Sequence, residues 1–240
     1  MNTIGLIGGT SWESTAVYYR LLNEGVRTRV GGLASAKIVL VSVDFAPLAS
    51  AMANGNWDAV AAALAKAAGQ LAAAGADCIG LCTNTMHKVA EAIEGATALP
   101  FINILDVTGS ALQRHSLSRP LLLATRYTVE HRFYRDHLEG RFGQTVSVPS
   151  QVARDQLQSI IFDELCQGRV VPASKAAVLA MVAEARAAGC DSVIFGCTEI
   201  GLLLTPADVP LPVLDTTNLH CDALLDVAFA SIATTQSQAA

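Results

Sequence analysis

The sequence predicts an α/β protein built from two related lobes, each a mainly parallel four-stranded sheet flanked by helices. Three observations carry that expectation: short apolar runs rich in Val, Ile and Leu, helical patterns between them, and segments of the first half that recur in the second. Such runs are the signature of strands buried on both faces. Strand alternating with helix gives a parallel sheet covered by helices.

In chain order the strand runs are TIGLIG (3–8), AKIVLVSVD (36–44), DCIGLC (77–82), PFINIL (100–105), PLLLAT (120–125), VSV (146–148), SVIFGC (192–197) and LPVLD (211–215). The first helix opens on a capping box from Thr10 to Glu13 and sets Tyr18, Leu22 and Val26 on one face. Trp57, Val60, Leu64, Ala68 and Leu71 make a second stripe, and Leu157, Ile160, Ile161 and Leu165 a third. The closing ATTQSQAA is too small and polar to pack.

AAGADCIGLCTN (73–84) aligns with AAGCDSVIFGCTE (187–199) once one residue is inserted. GLIGGTS answers LLLATRYT, with Gly9 opposite Thr125 at an offset of 116, and PFINILD answers PLPVLD, ending in Asp106 and Asp215. Three matches in the same order imply homologous halves related by a pseudo-two-fold axis. We set the lobes at residues 1–99 with 212–240, and 100–211. Ligands of parallel sheets gather beyond the carboxyl ends of the strands, where Cys82 and Cys197 both sit. The expected site is the cleft between the lobes, with one cysteine on each side.

The 240 residues are 52% hydrophobic and 15% charged, too apolar for disorder and without an uncharged stretch long enough to span a membrane. Much of the apolar content is alanine, which suits helices packed close to a sheet. The start, MNTIGLIGG, lacks the basic and apolar regions of a secretory signal, so the expected location is the cytoplasm. A net charge of −5 without a Lys/Arg run argues against nucleic acid and leaves a small metabolite as the expected partner. The six cysteines contain no C-x-x-C and are expected reduced, with no metal site; Cys78, Cys166, Cys190 and Cys221 read as core filling.

Two facing thiols can invert a carbon acid, one removing a proton from Cα and the other delivering one to the opposite face. A thiol has an ordinary pKa near 8.5, and a helix N-terminus lowers it toward neutral. A Cα held between two such sulfurs wants a gap of about 7 to 8 Å. Thr83, Asn84 and Thr85 after the first cysteine, and Thr198 and Glu199 after the second, offer donors for a carboxylate and for developing enediolate charge. Glu199 could bind a substrate ammonium or cap the next helix. His87 reads as a packing or capping residue, Tyr18 and Tyr19 as packing, and Trp12 as a residue at the loop end within reach of a ligand. The glycines of GLIGGTS fit a tight strand-to-helix turn and match neither nucleotide loop.

GLIGGTSWESTAVYYR, SVDFAPL, LCTNTMHKV, IIFDELCQG and FGCTEIGLL together resemble the aspartate/glutamate racemase family of cofactor-independent amino-acid racemases, and most closely its broad-specificity branch. The resemblance spans nearly the whole chain. It implies a racemase with an interlobe site, a homodimer, and no pyridoxal phosphate, metal or nucleotide. It also implies Cys82 and Cys197 as the acid/base pair and Asn84, Thr85 and Thr198 as ligands of the α-carboxylate and amine, with Thr10 and Thr125 lining the cleft.

Two positions depart from that family. Where relatives often carry Arg or Gln after SVDF stands Met52, and where many carry Lys before IIFDEL stands Gln156. An unpaired carboxylate in a closed site is costly, so a neutral or broad range of amino acids is expected, with Arg126 the remaining cation that could reach in. The alternatives are a strict aspartate or glutamate racemase, a related isomerase or decarboxylase of dicarboxylic acids such as maleate isomerase, a non-catalytic amino-acid-binding protein, and a thiol redox protein.

Overall fold

The computed structural model describes residues 1–237, and the chain divides into two compact units, residues 1–104 with the segment from His220 onward, and Leu105–Leu219. The first contains β1 (Ile4–Gly8), α1 (Trp12–Val30), β2 (Ile38–Ser42), α2 (Phe45–Ala53), α3 (Trp57–Ala73), β3 (Cys78–Leu81), a 3₁₀ turn (Thr85–Val89) and α4 (Ala90–Glu94). The second contains α5 (Ile104–Arg114), β4 (Pro120–Leu123), α6 (Arg126–Glu130), α7 (Phe133–Phe142), α8 (Gln151–Ser159), α9 (Pro172–Ala187), β5 (Ser192–Phe195), α10 (Ile200–Leu203) and β6 (Val213–Asp215). The division falls inside α11 (Thr216–Ser237). The crossing expected at 211/212 lies on the other side of β6, which pairs with β5 and so stays with the second unit.

Both sheets are parallel, in the orders β2-β1-β3 and β4-β5-β6. Each has three strands where four were expected, because the fourth row shrinks to a single bridge. Phe101 pairs with Ile79 beyond β3, and Ser147 with Leu121 beyond β4. PFINIL cannot extend as a strand because α5 already begins at Ile104. Counting the bridges, the row orders are β2-β1-β3-Phe101 and Ser147-β4-β5-β6, so the two units repeat one topology.

A small device at the base of each sheet repeats as well. Asp77 Oδ2 accepts from Thr3 N at 2.6 Å, and Asp191 Oδ2 accepts from Ser118 N at 2.7 Å and Arg119 N at 3.0 Å. In each unit one carboxylate thus ties the start of the central strand to its neighbour.

In the first unit α1 and α11 cover one face of the sheet, where Ile4, Leu6, Tyr18, Leu22, Val26, Cys78, Cys82, Cys221, Leu224 and Ala228 form one core. Gly80 belongs to the same row, and a Cβ there would lie 2.7 Å from Leu224 Cδ1. In the second unit Leu121, Leu123, Val193 and Phe195 pack against Leu157, Ile161, Leu165, Val178 and Val182. The third predicted stripe is buried as expected, though its helix passes through a π turn at Ile160–Glu164. Cys78, Cys190 and Cys221 are buried, but Cys166 is exposed, since the 3₁₀ turn Leu165–Gln167 points Leu165 inward instead. Among the described residues no helix is long and apolar enough to cross a membrane. The last three residues of ATTQSQAA and the side chains of the whole stretch lie outside what is described.

Candidate active site

The carboxyl end of β1 is a tight turn. Gly9 has φ +90°, and a Cβ there would fall 2.1 Å from Val43 O, so only glycine fits. Thr15 Oγ1 accepts from Gly9 N at 2.8 Å and donates to Ser11 O at 2.9 Å. The helix cap is Ser11, whose hydroxyl accepts from Ser14 N, and not Thr10 as the capping-box pattern implied. Thr10 lies in the turn before it, buried, with an Oγ1 that has no hydrogen-bond partner among the described residues. Trp12 is largely exposed and Tyr19 exposed, while Tyr18 is buried.

At the end of β3, Cys82 N continues the ladder by donating to Ile7 O at 2.9 Å. Cys82 is fully buried within the first core, and that burial pushes its thiol well above the usual range. Thr83 is half-buried. Its carbonyl is held by His87, whose Nδ1 lies 2.7 Å away, while His87 Nε2 faces Ile104 N at 3.3 Å. Nε2 therefore accepts and Nδ1–H donates, so His87 ties the backbone as a packing residue would. Beside it, edge-on at 6.0 Å, stands His220, with Nδ1 2.8 Å from Tyr18 Oη and Nε2 2.6 Å from Ile102 O. Complete burial lowers the His220 pKa to about 4. Asn84 is buried, Thr85 is half-buried, and Met52 is buried on the inner face of α2 with Leu48.

The end of β5 is built differently. Gly196 N takes the ladder position, donating to Leu123 O at 2.8 Å, and Cys197 follows, half-buried. Cys197 Sγ donates to Glu199 Oε2 at 2.8 Å, and Thr198 Oγ1 donates to the same oxygen at 2.6 Å. Burial and then the Glu199 carboxylate raise the Cys197 pKa well above the ordinary value, while the Glu199 backbone N–H opposes them. Glu199 stands at the N-cap of α10 but makes no side-chain cap bond, which removes one of its two expected roles.

Thr125, half-buried, is the N-cap of α6 and lies 3.3 Å from Thr128 Oγ1. Arg126 is engaged outward, 3.2 Å from Asp155 and 4.0 Å from Glu130. Gln156 is exposed on α8. Two features at the end of β6 were not singled out from sequence. Asp215 accepts from Thr217 N and Asn218 N at the start of α11, and Thr217 Oγ1 is buried without a partner among the described residues. Their one sequence signal was the third repeat match.

The ladders settle how the repeats align. Ile7 pairs with Leu81 and Leu123 with Phe195, so Cys82 corresponds to Gly196 and Thr83 to Cys197. The strands need no insertion. Because side chains alternate across a strand, a one-residue offset moves a group to the other face. Cys82 therefore continues the inner row of Cys78 and Gly80, and the half-buried position matching Cys197 belongs to Thr83.

Among the described residues no group of three His, Cys, Asp or Glu side chains could hold a metal ion. Residues 7–224 match the Asp/Glu/hydantoin racemase family model. The fold closely follows that of a Yersinia pestis protein provisionally named as an Asp/Glu racemase, at 44% identity over 95% of this chain and 100% of that one, with a TM-score of 0.90. An aspartate racemase homologue from Pyrococcus horikoshii OT3 is 30% identical over 95% and 99% of the two chains, with a TM-score of 0.86. The Picrophilus torridus aspartate racemase shares the fold, with a TM-score of 0.76 at 20% identity over 95% and 94%.

Proposed function

The chain belongs to the Asp/Glu/hydantoin racemase family, and from that premise we propose that it inverts the Cα of free amino acids without a cofactor. The observation that carries the proposal is Cys197: a half-buried thiol at a strand's carboxyl end, hydrogen-bonded to a carboxylate. A thiolate there removes the Cα proton, and the hydroxyls and amide that follow each strand end, with the unpartnered Thr10 hydroxyl, hold the substrate carboxylate.

Two readings of the opposite group differ by one residue. The family resemblance points to Cys82, which would give a symmetric pair of thiols. Burial and strand register favour Thr83, whose side chain is partly accessible where the Cys82 sulfur is not. A hydroxyl delivers a proton more readily than it removes one, since its pKa lies far above working pH. Under that reading Cys197 carries the removal step and Thr83 the delivery.

The substrate proposed is a neutral or broadly varied amino acid. Met52 and Gln156 bring no cation, and Arg126 is already engaged by Asp155 and Glu130. The resemblance extends the proposal to a homodimer, which sedimentation would report as twice the mass of one chain. Incubating single enantiomers of Ala, Leu, Met, homoserine, Asp and Glu in D2O tests the whole. Deuterium entering Cα with loss of optical activity is expected; clear preference for Asp or Glu would overturn the substrate class. Binding without exchange would leave a non-catalytic protein, and attack on maleate without Cα exchange a dicarboxylate isomerase.

A further inference from the structure

Cys197 and Glu199 are joined more closely than a binding residue and its neighbour need to be. Glu199 is 8% exposed, its Oε2 lies 2.8 Å from Cys197 Sγ, and the Thr198 hydroxyl pins that same oxygen at 2.6 Å. The Glu199 backbone N–H also reaches the sulfur, so Sγ has both a donor and an acceptor from one residue. Cys166, from the 3₁₀ turn packed on α10, adds to the upward push on the Cys197 pKa that burial and the Glu199 carboxylate begin. A thiolate formed by losing its proton to bulk water would add a second negative charge to this pocket. Passing the proton to Glu199 keeps the charge at one.

We propose that Cys197 and Glu199 share a single proton at rest: Glu199 takes it from the thiol before the Cα proton is removed. Once the sulfur carries the Cα proton, the pair releases one of its two protons to solvent as the resting pair re-forms, while the group that protonated the opposite face regains one from solvent. The inference rests on the racemase proposal for its catalytic consequence, though not for its chemistry. In the first step the S–H bond breaks, its electron pair stays on sulfur, and an O–H bond forms on the carboxylate. In the second, the thiolate takes the Cα proton, and the C–H electron pair passes into the substrate as the enediolate. Glu199 is a positioning residue, acting through Cys197. After β3, Asn84 and Thr85 stand in register with Thr198 and Glu199, so an alcohol replaces the carboxylate at the matching position.

Alkylation of Cys197 by iodoacetamide, followed by peptide mass spectrometry across pH, reads the pair without any substrate. In the wild type an internal proton transfer gives a reactive thiolate whose fraction changes little between about pH 6 and 8. In Glu199→Gln the rate rises about tenfold per pH unit, as for a thiol that ionises to solvent. Steady-state kinetics give the second readout. Glu199→Gln loses about 100-fold in kcat/KM, equally in both directions because enantiomers are equal in free energy, with KM within about threefold, and Glu199→Asp recovers part of the loss. A wild-type alkylation rate that itself climbs about tenfold per pH unit overturns the shared proton, whether or not the variants fold. So does a Gln variant that keeps the wild-type profile, or one whose loss is confined to KM, as an ammonium ligand would give. Failure of the racemase proposal looks different: no Cα exchange in the wild type, with the alkylation contrast intact.

Discussion

The ends of β3 and β5 repeat one ladder pattern in separate sheets, yet they are stabilised by opposite means. After β3 the chain is fixed by neutral imidazoles: His87 holds the Thr83 carbonyl, and His220 ties Tyr18 to Ile102. After β5 a carboxylate holds a thiol. The first arrangement fixes backbone, whereas the second joins two ionisable side chains, one of them the half-buried Cys197 thiol. The two units repeat one scaffold, and the side chains after the strands make them unequal.

The largest expected effect comes from the reactive side. Cys197→Ala should lower Cα exchange by about 10³-fold while amino-acid binding, followed calorimetrically, persists; activity within tenfold of wild type would remove the thiol from the mechanism. Substitutions after β3 sharpen the contrast between adjacent residues. Thr83→Val should cost about 100-fold in kcat. Cys82→Ser should leave turnover within about threefold but lower the urea midpoint, because a hydroxyl buried in that core without a partner costs about 1 to 3 kcal/mol. The reverse pattern would restore the two-thiol pair.

Acid should act on the first unit through His220. Its folded pKa lies near 4 against an ordinary 6.5 because burial disfavours the charged ring. Between those values the unfolded chain binds the extra proton, so stability is complete above about pH 6.5 and lost as pH falls toward 4. The loss approaches about 3 kcal/mol. Urea titrations at about pH 7 and pH 5 should show the lower midpoint at pH 5, and His220→Phe should flatten the difference. The smallest effect is expected at Arg126, whose ion pairs are surface-exposed and worth about 0 to 1 kcal/mol. Arg126→Ala should change the ratio of Asp to Ala turnover by less than about threefold; collapse of Asp turnover would make it the distal-carboxylate ligand.

Much of this was legible in the sequence because buried parallel strands write themselves as apolar runs. The parallel α/β alternation and the Tyr18, Leu22 and Val26 stripe follow from periodicity, and the internal repeat from matching segments of the two halves. Single-residue register does not: aligning cysteine with cysteine required an insertion that the ladders from Ile7 and Leu123 do not contain. Periodicity was equally silent on where strands stop, since PFINIL is apolar enough to extend, yet α5 starts inside it. Nor could spacing show that Glu199 turns back to Cys197 instead of capping α10, because both outcomes use the same residue at the same position. Partners distant in sequence, such as Tyr18 and His220, left no local pattern at all.

The inequality of the two halves is tested most directly by comparing deuterium wash-in with inversion from each pure enantiomer in D2O. With a thiolate on one side and a hydroxyl on the other, the enantiomer whose Cα proton faces Cys197 should exchange at least about tenfold faster than it inverts, while its mirror image exchanges no faster than it inverts. Equal ratios of wash-in to inversion from both enantiomers would contradict that inequality and return a symmetric pair of sulfur bases.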